Sequence, residues 1–565
     1  MKKPILGGFL AIASLSIQPY TSIAAEAPKL ILQITVDQLR ADLPQRYMSK
    51  MGNGGFKYLY DKGIVYEDAH HAHSNTETIV GHTTLATGAY PSRHGLIGNV
   101  WYDRATGEMT YNIEDPRYSL LSKDAGVDKS TEVDPTQKIA KSDGRSPAAI
   151  LVSTFSDELS IHTNKKAKVF GVSVKDRGAV SMAGHAGKAF WFSKANGEFV
   201  SSNFYYDKYP KWVEAFNASK PALAYANKNW ELMYKPSEYM FGDNDDQAWV
   251  SVIGGFGRVF PHAYGKADTK YFNTFLTLSP AGDELTLNFA KKLIENEDIG
   301  QDGVTDYLSV SFSSTDYVGH VFGPSSLEAE DNLLRLDKTL ANLFAFVDKN
   351  VGLKNTLIVL SADHGTPEAP PQVNEYGIEA NYIDPETWDK APGIEKLKKE
   401  FGIGKKLIQA FNAPYLYLNK QVIKEKGLDL AQVEAVVASE IMKLKGVNNA
   451  ISSTALMEGR VANTEDMRLI LNSHNVKRSG DIFILFEPNW FINDFDGLTV
   501  ACTHGSLWNY DTFVPVIFAG ANIKSKKVYR KIETVDVART LSAYVNVKPP
   551  SGANGNILAE VLENK

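Results

Sequence analysis

Apolar runs recur along the chain, and most of them end at a charged residue. Leu30–Val36 reads LILQITV and stops at Asp37. Residues 168–174, KVFGVSV, stop at Lys175, and residues 308–312 lead into Asp316. Thr356–Ser361, TLIVLS, is followed by Asp363, His364 and Gly365, and a fifth run, FVPVIF at 513–518, ends near Gly520. Near-continuous runs of this length suit strands buried on both faces, as in a parallel sheet. Between them the period becomes helical. Leu327, Leu333, Leu336, Leu340, Leu343 and Phe344 share one face of a helix predicted over 325–348, with Ser325 and Glu328 spaced as a capping box. Leu285, Phe289 and Leu293 predict a helix before the 308–312 strand, and further helices are predicted over 430–445 and 534–545. Alternating strands and helices predict an α/β layered fold, its mostly parallel central sheet flanked by helices. In such folds ligands sit beyond the carboxyl ends of the strands, which is where Asp37, Lys175, Asp316 and Asp363 fall.

Two stretches break this rhythm. Residues 190–280 are rich in Trp, Tyr and Phe without clear periodicity, and residues 380–480 hold a separate helix between two apolar runs. Both read as insertions that cap the strand ends, within a single catalytic domain over 26–565.

The first residues predict where the protein works. Lys2 and Lys3 precede an apolar or small stretch over 5–17, and Ser22, Ala24 and Ala25 follow. That is the layout of a cleavable signal peptide over 1–25, so a periplasmic or secreted location is expected. The stretch is short for a bilayer span, and no membrane anchor is expected. With Cys502 as the one cysteine, no internal disulfide is possible. An exported chain of this kind relies on its core, on bound metals, or on both. The 565 residues are 43% hydrophobic with a net charge of −6, which suits a large globular enzyme. The absence of a long basic run argues against nucleic acid as a partner.

The candidate chemistry lies at the strand ends. In STDYVGHVFG, residues 314–323, Asp316 and His320 are four apart and share one face of a helical turn, so both can reach one cation. An exposed Asp–His pair would read the same way. Asp37 alone could cap a helix, and His504 in CTHGS could be structural. Taken together, Asp37, Asp316, Asp363, His320, His364 and His504 supply the six donors of a two-metal centre drawn from several strand ends. Mixed Asp and His donors favour zinc over magnesium or calcium. Thr78 stands at the predicted start of a helix, where free N–H groups and the dipole suit phosphate. A threonine hydroxyl needs activation to act as a nucleophile, and Thr76, Thr83, Thr84 and Thr87 compete for the role. Lys175 and Arg177, two apart on what reads as an extended segment, would point to one side. His70, His71 and His73 form a further cluster, and His82, His94 and His185 read as structural. Asp243, Asp245 and Asp246 read as a solvated acidic loop, and Trp191 and Tyr205 as core.

These segments resemble the alkaline phosphatase superfamily, most closely the bacterial phosphate-irrepressible type with a threonine nucleophile. The resemblance rests on Asp37 after its strand, TIVGH at 78–82, HGLIGNVWYD at 94–103, VKDRGAV at 174–180, TDYVGH, SADHG and THGSLWNYD at 503–511. It spans nearly the whole chain after the predicted leader. It implies an alkaline-phosphatase-like fold in which Thr78 attacks phosphorus and carries the phosphoryl group. Asp316, His320 and His504 would hold one zinc; Asp37, Asp363 and His364, with the Thr78 oxygen, would hold the second. Asn99, Lys175 and Arg177 would bind phosphoryl oxygens. The expected enzyme is a monomeric alkaline phosphatase acting on small phosphate monoesters. A phosphodiesterase of the same superfamily and an inactive phosphate-binding protein are the alternatives. A sulfatase is disfavoured, since those enzymes use a modified cysteine or serine and Cys502 sits beside His504 instead.

Overall fold

The computed structural model describes residues 27–495 and 497–563. The predicted leader lies outside the described residues. Nine strands form the central sheet: β1 Leu30–Val36, β2 Ile64–Tyr66, β3 Val169–Ser173, β4 Lys188–Phe192, β5 Phe199–Val200, β6 Asp306–Phe312, β7 Thr356–Ser361, β8 Val516–Gly520 and β9 Lys526–Val528. Their spatial order is β9-β2-β8-β7-β1-β6-β3-β4-β5. The five strands from β7 to β4 run parallel, with Val36 of β1 level with Phe312 of β6 and Thr35 level with Ser361 of β7. The expected parallel character therefore holds at the centre. The 513–518 run departs from it: β8 begins at Val516 and pairs antiparallel with both β7 and β2. Pro515, which has no N–H to give a ladder, lies just outside the strand.

The pleat divides each central strand between two cores. Leu30, Leu32, Ile34 and Val36 of β1 join Ile358 and Leu360 of β7 on one face, while Ile31, Leu357 and Val359 join the other. The first face is covered by α3 (Pro280–Asn296) and α5 (Leu327–Asn350), through Leu285, Phe289, Leu336 and Leu340. The second is covered by α1 (Thr78–Thr87) and α6 (Asp536–Tyr544), through Leu85 and Leu541. Strands buried on both faces are apolar at most positions, which is why their runs are legible without alternation. No helix among the described residues is long and apolar enough to cross a membrane.

Residues 190–192 lie in β4 and residues 199–200 in the edge strand β5, so the aromatic stretch begins inside the sheet. Trp230, Phe256, Phe272 and Phe275 join the core beside α3. Farther along, Ile408–Asn412, Tyr415–Leu418, Ile482–Phe486 and Val447–Ser452 form a separate antiparallel four-stranded sheet. It has its own core, which includes Val433, Val437 and Ile441 of the helix Leu430–Ile441.

One expected cap moves by a residue. Ser326, in extended backbone, caps α5 by accepting from Ala329 N–H at 3.1 Å. Ser325 Oγ instead accepts from Arg46, and Glu328 turns inward to meet His262 Nε2 at 3.1 Å. Ser326→Ala should therefore lower stability by about 1 kcal/mol. Ser325→Ala should cost less than half as much in calorimetric or denaturant unfolding, and the reverse order would return the cap to Ser325.

Candidate active site

Three neighbouring strands deliver three carboxylates to one place. Asp37 directly follows β1 and Asp363 follows β7. Asp316 lies in the first turn of α4 (Ser314–Phe322), which follows β6. All three are buried, at 0%, 0% and 2% exposure respectively. Ligand atoms of Asp37, Asp363 and His364 lie within 4.8 Å of one another, as do those of Asp316, His364 and His504. His320 also belongs here: its Nε2 is 3.2 Å from Asp316 Oδ1, and His504 Nε2 is 3.3 Å from the same oxygen. The Nδ1 atoms of His320, His504 and His364 face the carbonyls of Cys502, Thr76 and Gly365 at 2.9, 2.7 and 3.0 Å. Each Nδ1–H thus has an acceptor, which leaves Nε2 free on the carboxylate side to share a cation with those oxygens.

The donor set fits divalent cations. Asp37 Oδ1 and Oδ2, Asp363 Oδ2 and His364 Nε2 are buried without a hydrogen bond. An orphaned buried polar group costs about 1–3 kcal/mol, more if charged. Lys175 supplies part of the missing charge. Its ammonium hydrogen-bonds Asp316 Oδ2 and forms an ion pair 2.8 Å from Asp37 Oδ2. Burial works against a charged lysine there, but Asp316 and Asp37 outweigh it and hold Lys175 above the usual lysine range. Burial likewise drives His504 down to about 3, keeping the imidazole neutral.

Thr78 is the first residue of α1, with Glu77 as the N-cap. Gly81 lets this helix approach the Asp363 loop; a Cβ there would lie 1.8 Å from the Asp363 carbonyl oxygen. Lys175 Nζ and Arg177 Nη2 reach Thr78 Oγ1 at 3.5 and 3.3 Å. These two cations are not both on extended chain as expected. Lys175 is the extended N-cap of α2 (Asp176–Ala183), and Arg177 lies in its first turn. The turn brings the guanidinium round to the same hydroxyl. Asn99 Oδ1 accepts from Ile79 N–H at 3.2 Å, leaving its Nδ2 as the donor for the cavity. That cavity, about 630 Å³, is lined by Thr78, Asn99, Arg177, Asp316, His320 and His504. Asp37, Lys175, Asp363 and His364 stand behind this wall.

All ten residues singled out in the sequence meet at this place. The other histidines do not line the cavity. His71 meets the Ala362 carbonyl and Thr534, His73 Nε2 lies 3.2 Å from His71 Nδ1 with the rings tilted, and His70 pairs with Asp68. His82 bridges the Thr78 carbonyl and Ser311, with Nδ1 3.1 Å from Asp363 Oδ2. His94 meets Thr84, and His185 meets Asp157. Asp246 pairs with Arg258, and Trp191 and Tyr205 are core.

Three residues escaped the sequence reading. Asp134 Oδ2 accepts from Arg177 Nη1 at 2.7 Å and fixes the guanidinium. Glu77 Oε2 accepts from the Asn99 N–H, and burial pushes its carboxyl up to about 7. Gln38 has a left-handed φ of 67°, rare for a residue with a side chain. Its N–H donates to Asp363 Oδ1 and its Nε2 to Asp316 Oδ1, both at 3.1 Å, so one residue orients a carboxylate of each group. Gly319 makes room for it: a Cβ there would lie 1.7 Å from Gln38 Oε1. Gln38 stands next to Asp37, but its partners are 325 and 278 residues away, and local pattern carries no trace of that.

Residues 31–507 match the family described as type I phosphodiesterase / nucleotide pyrophosphatase. Alkaline phosphatase PafA of Elizabethkingia meningoseptica is 34% identical to this chain, covering 99% of each. A protein of Myroides odoratus described as a calcium-transporting ATPase is 33% identical, covering 95% of each. A crystal structure of wild-type PafA matches with a TM-score of 0.86 at 33% identity, over 95% of this chain and 99% of that one.

The Gln38–Gly319 contact can be tested directly. Gln38→Gly keeps the left-handed backbone open and removes the amide; Gly319→Ala drives a methyl into it. Each should weaken divalent-metal binding about tenfold or more, read by chelator competition. The double variant should lose less than the sum, because the clash disappears with the amide. Additive losses would show that the two positions act independently.

Proposed function

This chain belongs to the type I phosphodiesterase / nucleotide pyrophosphatase family of the alkaline phosphatase superfamily, and from that premise we propose that it is an exported, two-zinc phosphomonoesterase working through Thr78. The observation that carries this reading is the convergence of Arg177 and Lys175 on the Thr78 hydroxyl, at 3.3 and 3.5 Å, at a helix start. A monoester dianion presents three nonbridging oxygens and rewards each added cation. A diester carries one charge and places a second ester group where those cations stand. The names of the two relatives, phosphatase and ATPase, share cleavage of a bond to phosphorus.

Asp316, His320 and His504 would hold one ion, and Asp37, Asp363 and His364, with the Thr78 oxygen, the other. Bound zinc supplies positive charge at the attacking and leaving oxygens and favours a deprotonated hydroxyl. Thr78 Oγ forms a bond to phosphorus as the bond to the leaving oxygen breaks. Water then forms a second bond to phosphorus as the bond to Thr78 breaks, and inorganic phosphate leaves. Asn99 Nδ2 and the guanidinium of Arg177 hold nonbridging oxygens, with Asp134 fixing the guanidinium. Lys175 neutralises charge between the two carboxylate groups and beside the nucleophile. Positioning and charge are what phosphoryl transfer asks of a protein. Every group named comes from one chain, so a monomer suffices.

Thr78→Ala should lower kcat by several orders of magnitude with an unchanged melting temperature, and Thr78→Ser should retain far more activity. Near-normal turnover by Thr78→Ala would exclude a covalent phosphothreonine. Lys175→Ala and Arg177→Ala should each lower kcat/KM on an aryl monoester by about one to two powers of ten. The effect of Arg177→Ala on a diester with the same leaving group should be small, and equal losses from that variant on both substrates would favour the phosphodiesterase.

A further inference from the structure

Arg177 and Lys175 face the Thr78 hydroxyl, and the supports of both run back to one further cation. Arg177 Nη1 donates to Asp134 Oδ2 at 2.7 Å. The Asp134 N–H in turn donates to Glu132 Oε1 at 2.9 Å, and the same oxygen accepts from Lys194 Nζ. Lys194 also donates to Tyr317 Oη at 3.1 Å. Tyr317 completes the path to the second cation: the Nζ atoms of Lys175 and Lys194 each lie 5.0 Å from its ring centroid. Lys194 is therefore the point at which the support of Arg177 joins that of Lys175.

This junction is buried and held from several sides. The side chains of Lys194 and Glu132 are 9% and 3% exposed, where an ion pair is screened far less than at a surface. Lys194 stands in the turn between β4 and β5. Ser193 pins that turn, its N–H donating to the Glu198 carbonyl at 2.8 Å and its Oγ to the Ala125 carbonyl at 2.9 Å. Asp134 Oδ1 accepts from the N–H and the hydroxyl of Thr136, which leaves Oδ2 for Arg177. Burial opposes ionisation of Asp134, but Arg177 and then Lys194 outweigh it and hold its carboxyl below the usual carboxylate range. Without the Lys194 ammonium, two buried carboxylates two residues apart would compete for one guanidinium. Arg177 would be drawn toward Glu132 and away from Thr78 Oγ1, which lies 3.3 Å from its Nη2. Removing one partner of a buried pair leaves a bare charge, whereas neutralising both does not.

We propose that Lys194 is a positioning residue for the phosphoryl site: by neutralising Glu132 it leaves Asp134 to aim Arg177 at the phosphoryl oxygens, and through Tyr317 it braces the ring against which Lys175 rests. The proposal rests on the monoesterase reading and deepens it by naming what sets the aim of its cations. Lys194 does not itself line the cavity, so it acts through these neighbours.

The test uses the metal-loaded protein, an aryl monoester, a diester with the same leaving group, and calorimetric binding of inorganic phosphate. Lys194→Met should lower kcat/KM on the monoester about tenfold and leave the diester within about twofold. Phosphate binding should weaken severalfold at unchanged metal content, a readout independent of turnover. Glu132→Gln, which keeps the acceptor for the Asp134 N–H, should also lower monoester turnover, because the released ammonium then competes with Arg177 for Asp134. This variant keeps its lysine and serves where Lys194→Met does not fold. Combining the two should restore most of the loss, since no bare charge remains. In an Arg177→Ala background, Lys194→Met should cost less than about twofold. A rise in monoester turnover with Glu132→Gln, or a full tenfold loss added to Arg177→Ala, would show a charge acting at a distance and overturn the proposal. Equal losses on both substrates would overturn it in favour of packing. A wild-type protein that turns over no monoester would overturn the monoesterase reading itself; phosphate binding would then still report on Lys194.

Discussion

Three carboxylates on three neighbouring parallel strands set the terms for the rest of this structure. Adjacent strands lie about 4.8 Å apart, so acids at the ends of β7 and β1 and just beyond β6 are forced together. Asp37, Asp316 and Asp363 are almost wholly withdrawn from water. Like charges at such separations oppose ionisation unless cations stand among them. The structure answers with every cationic device within reach. Lys175 is drawn in from β3, the next strand along, to sit between Asp37 and Asp316. Asp316 lies in the first turn of α4, where the helix dipole favours a negative charge. Three imidazoles also turn their Nε2 atoms toward oxygens of Asp316 and Asp37, as ligands for a cation placed among them. One lysine does not satisfy three carboxylates: both oxygens of Asp37 and one of Asp363 still lack hydrogen bonds, and that is the demand that bound metal would meet.

The strands were readable because their environment is uniform. β1 and β7 match the predicted runs residue for residue, since burial on both faces keeps most of their positions apolar. Errors arose where a boundary turned on one residue's backbone. Ser325 and Ser326 are chemically identical, and only the extended conformation of Ser326 makes it the cap. Arg177 sits one residue past a helix start that the VKDRGAV segment does not announce. The antiparallel direction of β8 depends on the path of the chain, which composition does not encode. The site residues were legible as types placed at strand ends. Their supports were not: Gln38, Glu77 and Asp134 act through contacts that join distant segments, and each looks ordinary in its own neighbourhood.

The two walls of the cavity come from different parts of the fold, and their roles differ accordingly. The phosphoryl side is built on strand ends and helix starts of the central sheet, elements pinned by two cores. The opposite wall takes Phe411 and Phe486 from the four-stranded sheet, which has a core of its own. A wall with an independent core can change its lining without disturbing the metal ligands. Loops and added layers carry specificity in just this way when a rigid scaffold carries the chemistry.

Independence is limited by one segment. The strand Val100–Asp103, directly after Asn99, is gripped by the smaller sheet and the chain around it. Asn412 Nδ2 donates to the Val100 carbonyl at 3.0 Å, Arg478 lies over the Trp101 ring at 4.7 Å, and Arg104 pairs with Asp481 at 2.7 Å. Tyr102 and Tyr417 meet with ring centroids 5.3 Å apart. On the other side, Asn99 is fixed to the start of α1 through Ile79 and Glu77. Asn99 therefore stands at the seam between the layer that holds the nucleophile and the layer across the cavity. A shift of the smaller sheet would reach the phosphoryl oxygens through Asn99 before it reached any carboxylate. Coupling between the walls should thus appear in how the transition state is held, while metal binding, anchored in the central sheet, stays apart from it.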